Sequence, residues 1–419
     1  MPFYRSMGTT PRKRHIAFPK AGGGIHSEQL MGHEGFTGTS ALLYHLHPPT
    51  TIKSVRRVKE MKLEKDPDQT LRHRHFLTSR VKPGGSATMD RTPLLFNADI
   101  SMYYVVPDQE DEHFYRNAQA DEVVYVAKGS GTLTTQFGNL PFREGDYVVI
   151  HRGIMHRWTF DGIGRDDAGT DSGDDSGADA PQLLVMESRG HVRWPKRYRN
   201  EFGQLIEGAP FSERDIHGPT ELVTHDQMGD FPIFVKQYDG INEMILDHHP
   251  FDVAGWDGYF YPWTFNIEDF EPIVGRVHQP PPVHQTFQGD GFVICSFCPR
   301  PYDFHPEAVP APYNHSNVDS DEVLFYCSKE FMSRKGIEWG SVTHHPDGIP
   351  HGPHPGRYEE SIGQKFTNEL AVMMDSFRPM YVPKEALPLE DENYHRSWIE
   401  AKERKEAGDA KEGPEPMIP

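Results

Sequence analysis

The chain has 419 residues, enough for a large core and for two or more domains. Charged residues make up 25% and hydrophobic residues 36%, a globular balance, and three cysteines cannot build a disulfide framework. A formal net charge of −19 argues against nucleic acid and anionic membranes as partners, because both call for positive surface. No apolar run reaches bilayer length, and the N-terminus lacks an apolar secretory core, so a cytoplasmic protein is expected.

In chain order, 36 prolines and 38 glycines punctuate short β-rich runs, which predicts an all-β protein with few helices. The first patterned region carries Tyr115, Asn117 and Asp121-Glu122 before the apolar run Val123-Val124-Tyr125-Val126. It continues through Gly145-Asp146-Tyr147-Val148-Val149-Ile150-His151 to Gly153 and His156. Residues 162–181 are rich in Asp and Gly, and low hydrophobicity with like charge predicts a disordered loop. Leu183-Leu184-Val185-Met186 then resumes as a late strand, so the acidic run reads as an insertion and not a domain linker. Cys295 and Cys298 lie in the apolar run 291–298. Positions three apart on a strand face opposite sides, and no second cysteine pair accompanies them, so neither a zinc site nor a redox pair is expected.

The second patterned region is denser. His315, Asn317 and Glu322 are followed by Gly340, Pro346, Gly348 and His351. This is the two-part cupin metal signature, H-x-[HN]-x4-E and G-x5-P-x-G-x2-H. It supplies two imidazoles and one carboxylate, a set that binds one face of a divalent metal and leaves the opposite face open, as in non-haem Fe(II) oxygenases. The spacing places His315 near a strand end, Glu322 further along the same hairpin and His351 on a different strand. The first region repeats the pattern, with Tyr115 for His315, Asn117 for Asn317, Glu122 for Glu322 and His156 for His351. An internal repeat of one barrel predicts a bicupin, two related double-stranded β-helices. The first copy lacks its leading histidine and reads as structural. The expected division is an N-terminal domain over 1–245 with the degenerate barrel, a metal-bearing barrel over 246–398, and a polar tail over 399–419 that starts as a short helix.

Longer segments resemble the homogentisate 1,2-dioxygenase family over most of the chain. They include residues 27–36, Leu43-Tyr44-His45-Leu46, the run 251–258 with Tyr261-Pro262, Tyr313 to Asn317, Pro350 to Pro353, and Asp391 to His395. The resemblance implies a homo-oligomer, trimeric or hexameric, that holds Fe(II) and works in tyrosine and phenylalanine catabolism. It implies insertion of both atoms of O2 into homogentisate, opening the ring to maleylacetoacetate. It also implies that His315, Glu322 and His351 ligate iron, and that a nearby histidine serves as acid/base. His278 and His284 compete for that role, and His284 is favoured because it directly precedes a strand leading into the barrel. By the same likeness His345, Tyr313 and Asn317 stand around the metal. Phe331 stands where some members have a substrate-contacting tyrosine. The 315–322 hairpin is one residue longer than in the animal enzymes, and the acidic insertion is peculiar to this chain. The alternatives to homogentisate are a gentisate-like acid or another hydroquinone. From other classes, a metal-dependent bicupin isomerase and a non-enzymatic cupin also compete.

Overall fold

The computed structural model describes residues 3–163, 180–328, 331, 333–334 and 336–403. Most of the acidic run and the end of the polar tail lie outside the described residues, while 397–403 is helical. Among the described residues no helix is long and apolar enough to cross a membrane.

The chain divides into two compact units, one formed by Met1–Glu64 and Lys82–Asp269, the other by Lys65–Val81 and Phe270–Pro419. Both are built on antiparallel sheet. In the first unit one sheet runs in the order Thr92–Phe96, Ile100–Val105, Gln182–Ser188, Asp121–Lys128, Asp146–Ile150, Trp263–Asn266, with Ile216–His217 added as a seventh strand at its edge. The sheet of the second unit runs Gln285–Gly289, Phe292–Phe297, Ala371–Ser376, Asp321–Tyr326, Ser341–His345, Arg74–Leu77. The six places correspond one to one, which makes the molecule an all-β bicupin. Every residue of Asp146–Ile150 and of Ser341–His345 is buried, so both faces of these strands are covered.

A shared polar brace marks the repeat. Asp121 accepts the backbone N–H of Arg152 at 2.8 Å and of Val192 at 3.0 Å. Asp321 likewise accepts those of Asp347 at 2.9 Å and Met380 at 2.7 Å. Each carboxylate thus closes two turns of its own barrel, satisfying donors that would otherwise be buried unpaired.

The unit boundaries differ from the sequence reading of 1–245 and 246–398. Gly240–His248 pairs with Met228–Lys236, Val253–Gly258 with Thr37–His45, and Trp263–Asn266 with Asp146–Ile150, so the first unit runs to Asp269. Lys65–Val81 belongs to the second unit because Arg74–Leu77 pairs with Ser341–His345. Alternation along a strand shows which face is buried but not which partner it takes.

Candidate metal centre

His315, Glu322 and His351 offer ligand atoms that all lie within 4.8 Å of one another. Glu322 lies on the strand Asp321–Tyr326, one residue in, where its neighbours across the sheet are His345 and Asp375. The spacing predicts strand positions for the two histidines, but both lie outside the regular strands. They face each other in an isolated bridge, His315 N–H donating to His351 O at 2.8 Å and His351 N–H to His315 O at 2.9 Å. That pairing brings their rings to 4.2 Å. His351 Nε2 is 3.4 Å from Glu322 Oε1, and His315 Nε2 is 3.7 Å from Oε2. His315 Nδ1 donates to Tyr313 O at 3.1 Å, which leaves Nε2 bare in the neutral ring. His351 Nε2 is buried with no hydrogen-bond partner. A buried imidazole nitrogen is seldom left so, and with a carboxylate and a second imidazole beside it the donor set fits a divalent metal.

The surroundings hold this set in place. His345 Nδ1 bonds Glu322 Oε1 at 2.8 Å, and its ring stacks on His351 at 4.8 Å. His345 therefore positions the carboxylate by a direct bond and packs against the His351 ring. Its Nε2 lies 3.4 Å from Tyr394 Oη. Burial opposes charge on Glu322, yet the imidazoles of His315, His345 and His351 close around it hold its carboxyl well below the usual range. Burial also holds His345 neutral, well below the ordinary imidazole value. Sequence reasoning missed three further groups. The ring of His73 stands 6.1 Å from that of His351 and 5.4 Å from that of His345, and burial, with His351 and Arg334 adding to it, pushes it down to about 4. Trp398 stacks on His354 at 4.4 Å and donates Nε1–H to Gly352 O at 3.1 Å, backing the loop that carries His351. Asp375 has a buried Oδ1 without a partner, and burial, reinforced by Glu322, pushes its carboxyl up to about 8.

A cavity of about 390 Å³ opens over His315 and Glu322. Its walls include Phe297, Leu324, Phe331 and Met373, with His284, Arg300 and Asp375 among the polar groups. His284 ends the five-residue helix Pro280–His284 and directly precedes the strand Gln285–Gly289. Its ring stacks on Phe297 at 4.0 Å and 27°. It also bonds the backbone of Ser296, while Nδ1 is buried without a partner. Burial, then Arg300 and His278, hold it well below the ordinary value, so it is neutral with a bare nitrogen. His278 also lines the cavity but is engaged by Asp303 at 3.4 Å, its ring 6.3 Å from that of His284. Tyr313 is 60% exposed and lies in the cavity lining with the half-buried Asn317. Phe331 is buried, 4.9 Å from Tyr326 and 5.5 Å from Phe297.

The first barrel fills the same place differently. Arg91 forks onto Glu122 at 3.0 and 2.9 Å and reaches Glu187 at 2.9 Å. Lys236 donates to Glu187 at 2.8 and 2.6 Å. Glu187 stands across from Glu122 as Asp375 stands across from Glu322. Tyr115 Oη and His156 Nε2 are buried without partners, but the carboxylate a metal would need is taken by the guanidinium. A second cluster, Asp121 with His151 and His191, also has ligand-like spacing. There both rings donate Nδ1–H to Asp121 Oδ2, at 3.0 and 2.9 Å, and Trp263 donates to His151 Nε2 at 3.2 Å. It elaborates the brace that Asp321 and His344, 2.7 Å apart, form in the second barrel.

No family profile matches the chain. Among solved structures, the "Cupin 2 conserved barrel domain protein from Leptotrichia buccalis" aligns with 76% of this chain and all of its own, at 10% identity and a TM-score of 0.30. Among curated proteins, the "Putative dioxygenase" of Saccharolobus solfataricus is 38% identical over 401 residues, 95% of this chain and 99% of its own length. Homogentisate 1,2-dioxygenase of Rhodopseudomonas palustris (strain HaA2) is 25% identical over 299 residues, 68% of this chain and 62% of its own length. That of Bradyrhizobium diazoefficiens is 24% identical over 305 residues, again 68% and 62%. The chain thus spans about three-fifths of these homogentisate dioxygenases and nearly the whole of the Saccharolobus solfataricus protein. On these likenesses the chain belongs to the homogentisate dioxygenase family.

Proposed function

We propose that the second barrel is a non-haem Fe(II) dioxygenase site that cleaves the ring of homogentisate to give 4-maleylacetoacetate. The observation that carries this reading is the orphaned Nε2 of His351 beside Glu322 and His315, under a cavity whose wall presents a second orphaned imidazole nitrogen, Nδ1 of His284. His315, Glu322 and His351 would hold the iron. Fe(II) on such a face supplies a route for electrons between triplet O2 and an electron-rich phenolate, with open positions for both. The protein's own part is to bind, orient and move protons. Phe297, Leu324, Phe331 and Met373 pack the ring and exclude water. His284 Nδ1 takes the phenol proton as substrate binds and returns it as the ring opens. Its low proton affinity, set by burial, keeps it in the accepting form at neutral pH. Tyr313 O and His345 fix the orientation of His315 and Glu322 respectively.

A related hydroquinone is the second reading, favoured by Phe331, whose ring offers the cavity no hydroxyl. The test is oxygen uptake by protein reconstituted with Fe(II) and ascorbate, over a panel of dihydroxyaromatic acids. Homogentisate is expected to consume one O2 per ring opened, with gentisate handled poorly because one methylene fewer moves the carboxylate. Equal rates on both would reject homogentisate as the specific substrate. Turnover without O2 would reject the dioxygenase.

A further inference from the structure

We propose that Arg300 determines specificity by receiving a carboxylate carried on the substrate's ring, so that the site selects aromatic acids over uncharged arenes of the same shape. This deepens the ring-cleaving reading of the second barrel and rests on it.

Arg300 opens the short strand Arg300–Pro301, where it pairs with Thr367 of Phe366–Thr367. Its side chain is 9% exposed and lines the cavity. Nη1 donates to Cys298 O at 3.0 Å, and Nη2 reaches Glu369 Oε2 at a long 3.4 Å. A guanidinium carries five N–H donors, so these two contacts orient the fork without exhausting it. The guanidinium carbon stands 5.7 Å from the centre of the Phe297 ring, the ring on which His284 stacks. One wall of the cavity therefore presents an aromatic platform, a proton acceptor and a positive charge together.

Among the described residues, Arg334 is the other arginine at the cavity, and it is engaged elsewhere. Among the same residues no lysine lines the cavity. Arg334 donates to Gly352 O at 2.8 Å, lies 3.9 Å from Glu322 Oε1 and stands 5.8 Å from the centre of the Trp398 ring. It belongs to the support behind the metal ligands. The carboxylates at the cavity are Glu322 and Asp375 at the ligand end and Glu369 beside Arg300. A buried guanidinium recognises a carboxylate by paired, charge-assisted hydrogen bonds that a neutral group cannot replace. A long contact to Glu369 offsets part of that charge, yet it costs little to lengthen when a substrate carboxylate arrives. The competing view is that Arg300 and Glu369 merely tie two short strands together.

The two views separate by binding of non-oxidisable probes to the protein as purified. Phenylacetate and phenylacetamide have one shape and differ in charge. The parent protein is expected to prefer phenylacetate at least tenfold by calorimetry. Arg300→Met should erase that preference, weakening phenylacetate by about 10- to 100-fold, the usual worth of a hydrogen bond to a charged group, while phenylacetamide changes little. Arg300→Lys should recover part of it, and metal content should stay at the parent level. No preference in the parent protein, or a preference that survives in Arg300→Met, overturns the proposal. So does an equal loss for both probes, which is the signature of a strand tie. These measurements need neither O2 nor turnover. A protein that selects phenylacetate through Arg300 but opens no ring would retain this inference and lose the dioxygenase reading.

Discussion

The two barrels solve one physical problem in two ways. Each buries a glutamate at the same register of the same strand, Glu122 opposite Glu187 in one and Glu322 opposite Asp375 in the other. A buried carboxylate must be neutralised or paired. The first barrel pairs it ionically from within the chain, with Arg91 on Glu122 and Glu187 and Lys236 on Glu187. The second surrounds it with three imidazoles, one of which keeps an unpartnered ring nitrogen. The first arrangement is closed and can only stabilise. The second has electron pairs to give, which is what binding a metal requires.

The largest expected effect breaks this comparison at its centre. Glu322→Gln, His315→Ala and His351→Ala should each abolish metal binding and turnover while leaving the fold largely intact. Glu122→Gln should do the reverse. Metal content should stay near one per chain, but denaturant unfolding should show a loss of roughly 3–5 kcal/mol, the cost of stranding one side of a buried ion pair. Metal analysis of the two variants side by side decides the matter. Two metals per parent chain, or metal loss in Tyr115→Phe, would show that the first barrel is also a ligand site.

Within the second barrel, His284→Gln should keep its metal and lower turnover by roughly 10²–10⁴, the range for a general base. Part of the loss should return at higher pH, where solvent deprotonates the phenol. His278→Gln should cost much less, because Asp303 already engages that ring. Steady-state kinetics that exchange the two behaviours would move the base to His278.

The candidate ligands were legible in the sequence because a turn-and-strand motif fixes them locally: Glu322 and His351 each follow a short, punctuated run. The repeat was legible for the same reason, from Asp121-Glu122 and Asp321-Glu322 at the heads of apolar strands. His73 was not, because it reaches the site through the pairing of Arg74–Leu77 with Ser341–His345, a partner choice that no local pattern encodes. Arg91 lies 31 positions before Glu122 with no motif around it, so the closed pairing of the first barrel was invisible as well. Asp375 was hidden in an apolar run, and only the register across from Glu322 gives it meaning. His315 was placed on a strand by its spacing, whereas a single bridge to His351 suffices to hold it.

A smaller effect sharpens the comparison through pH. Burial opposes the charge on Glu122, but Arg91 overrides it and brings the carboxyl down to about 2 from the ordinary 4.5. A depressed folded value favours the native state above the unfolded value. The contribution is therefore complete above about pH 4.5 and is lost as pH falls toward 2. Urea midpoints of the parent protein should decline over that window. Glu122→Gln should decline less steeply there, since its amide does not titrate. An acid limb unchanged by the substitution would mean that other carboxylates dominate it.

The smallest expected effect concerns what the barrels share. Ser188 Oγ donates to Gly190 O at 2.8 Å, and Ser376 Oγ donates to Arg378 O at 3.1 Å. Both residues are fully buried at matching ends of matching strands, one position beyond Glu187 and Asp375. Each bond closes the turn that leads to the brace on Asp121 or Asp321. Removing a hydroxyl of this kind costs about 1 kcal/mol. Ser188→Ala and Ser376→Ala should therefore lower stability by similar amounts, and neither should change metal content, because the turn is common to a closed barrel and an open one. If Ser376→Ala also releases metal, this turn has become part of the ligand scaffold in the second barrel. The division between the two would then extend beyond the carboxylate and its cation into the frame that both inherit.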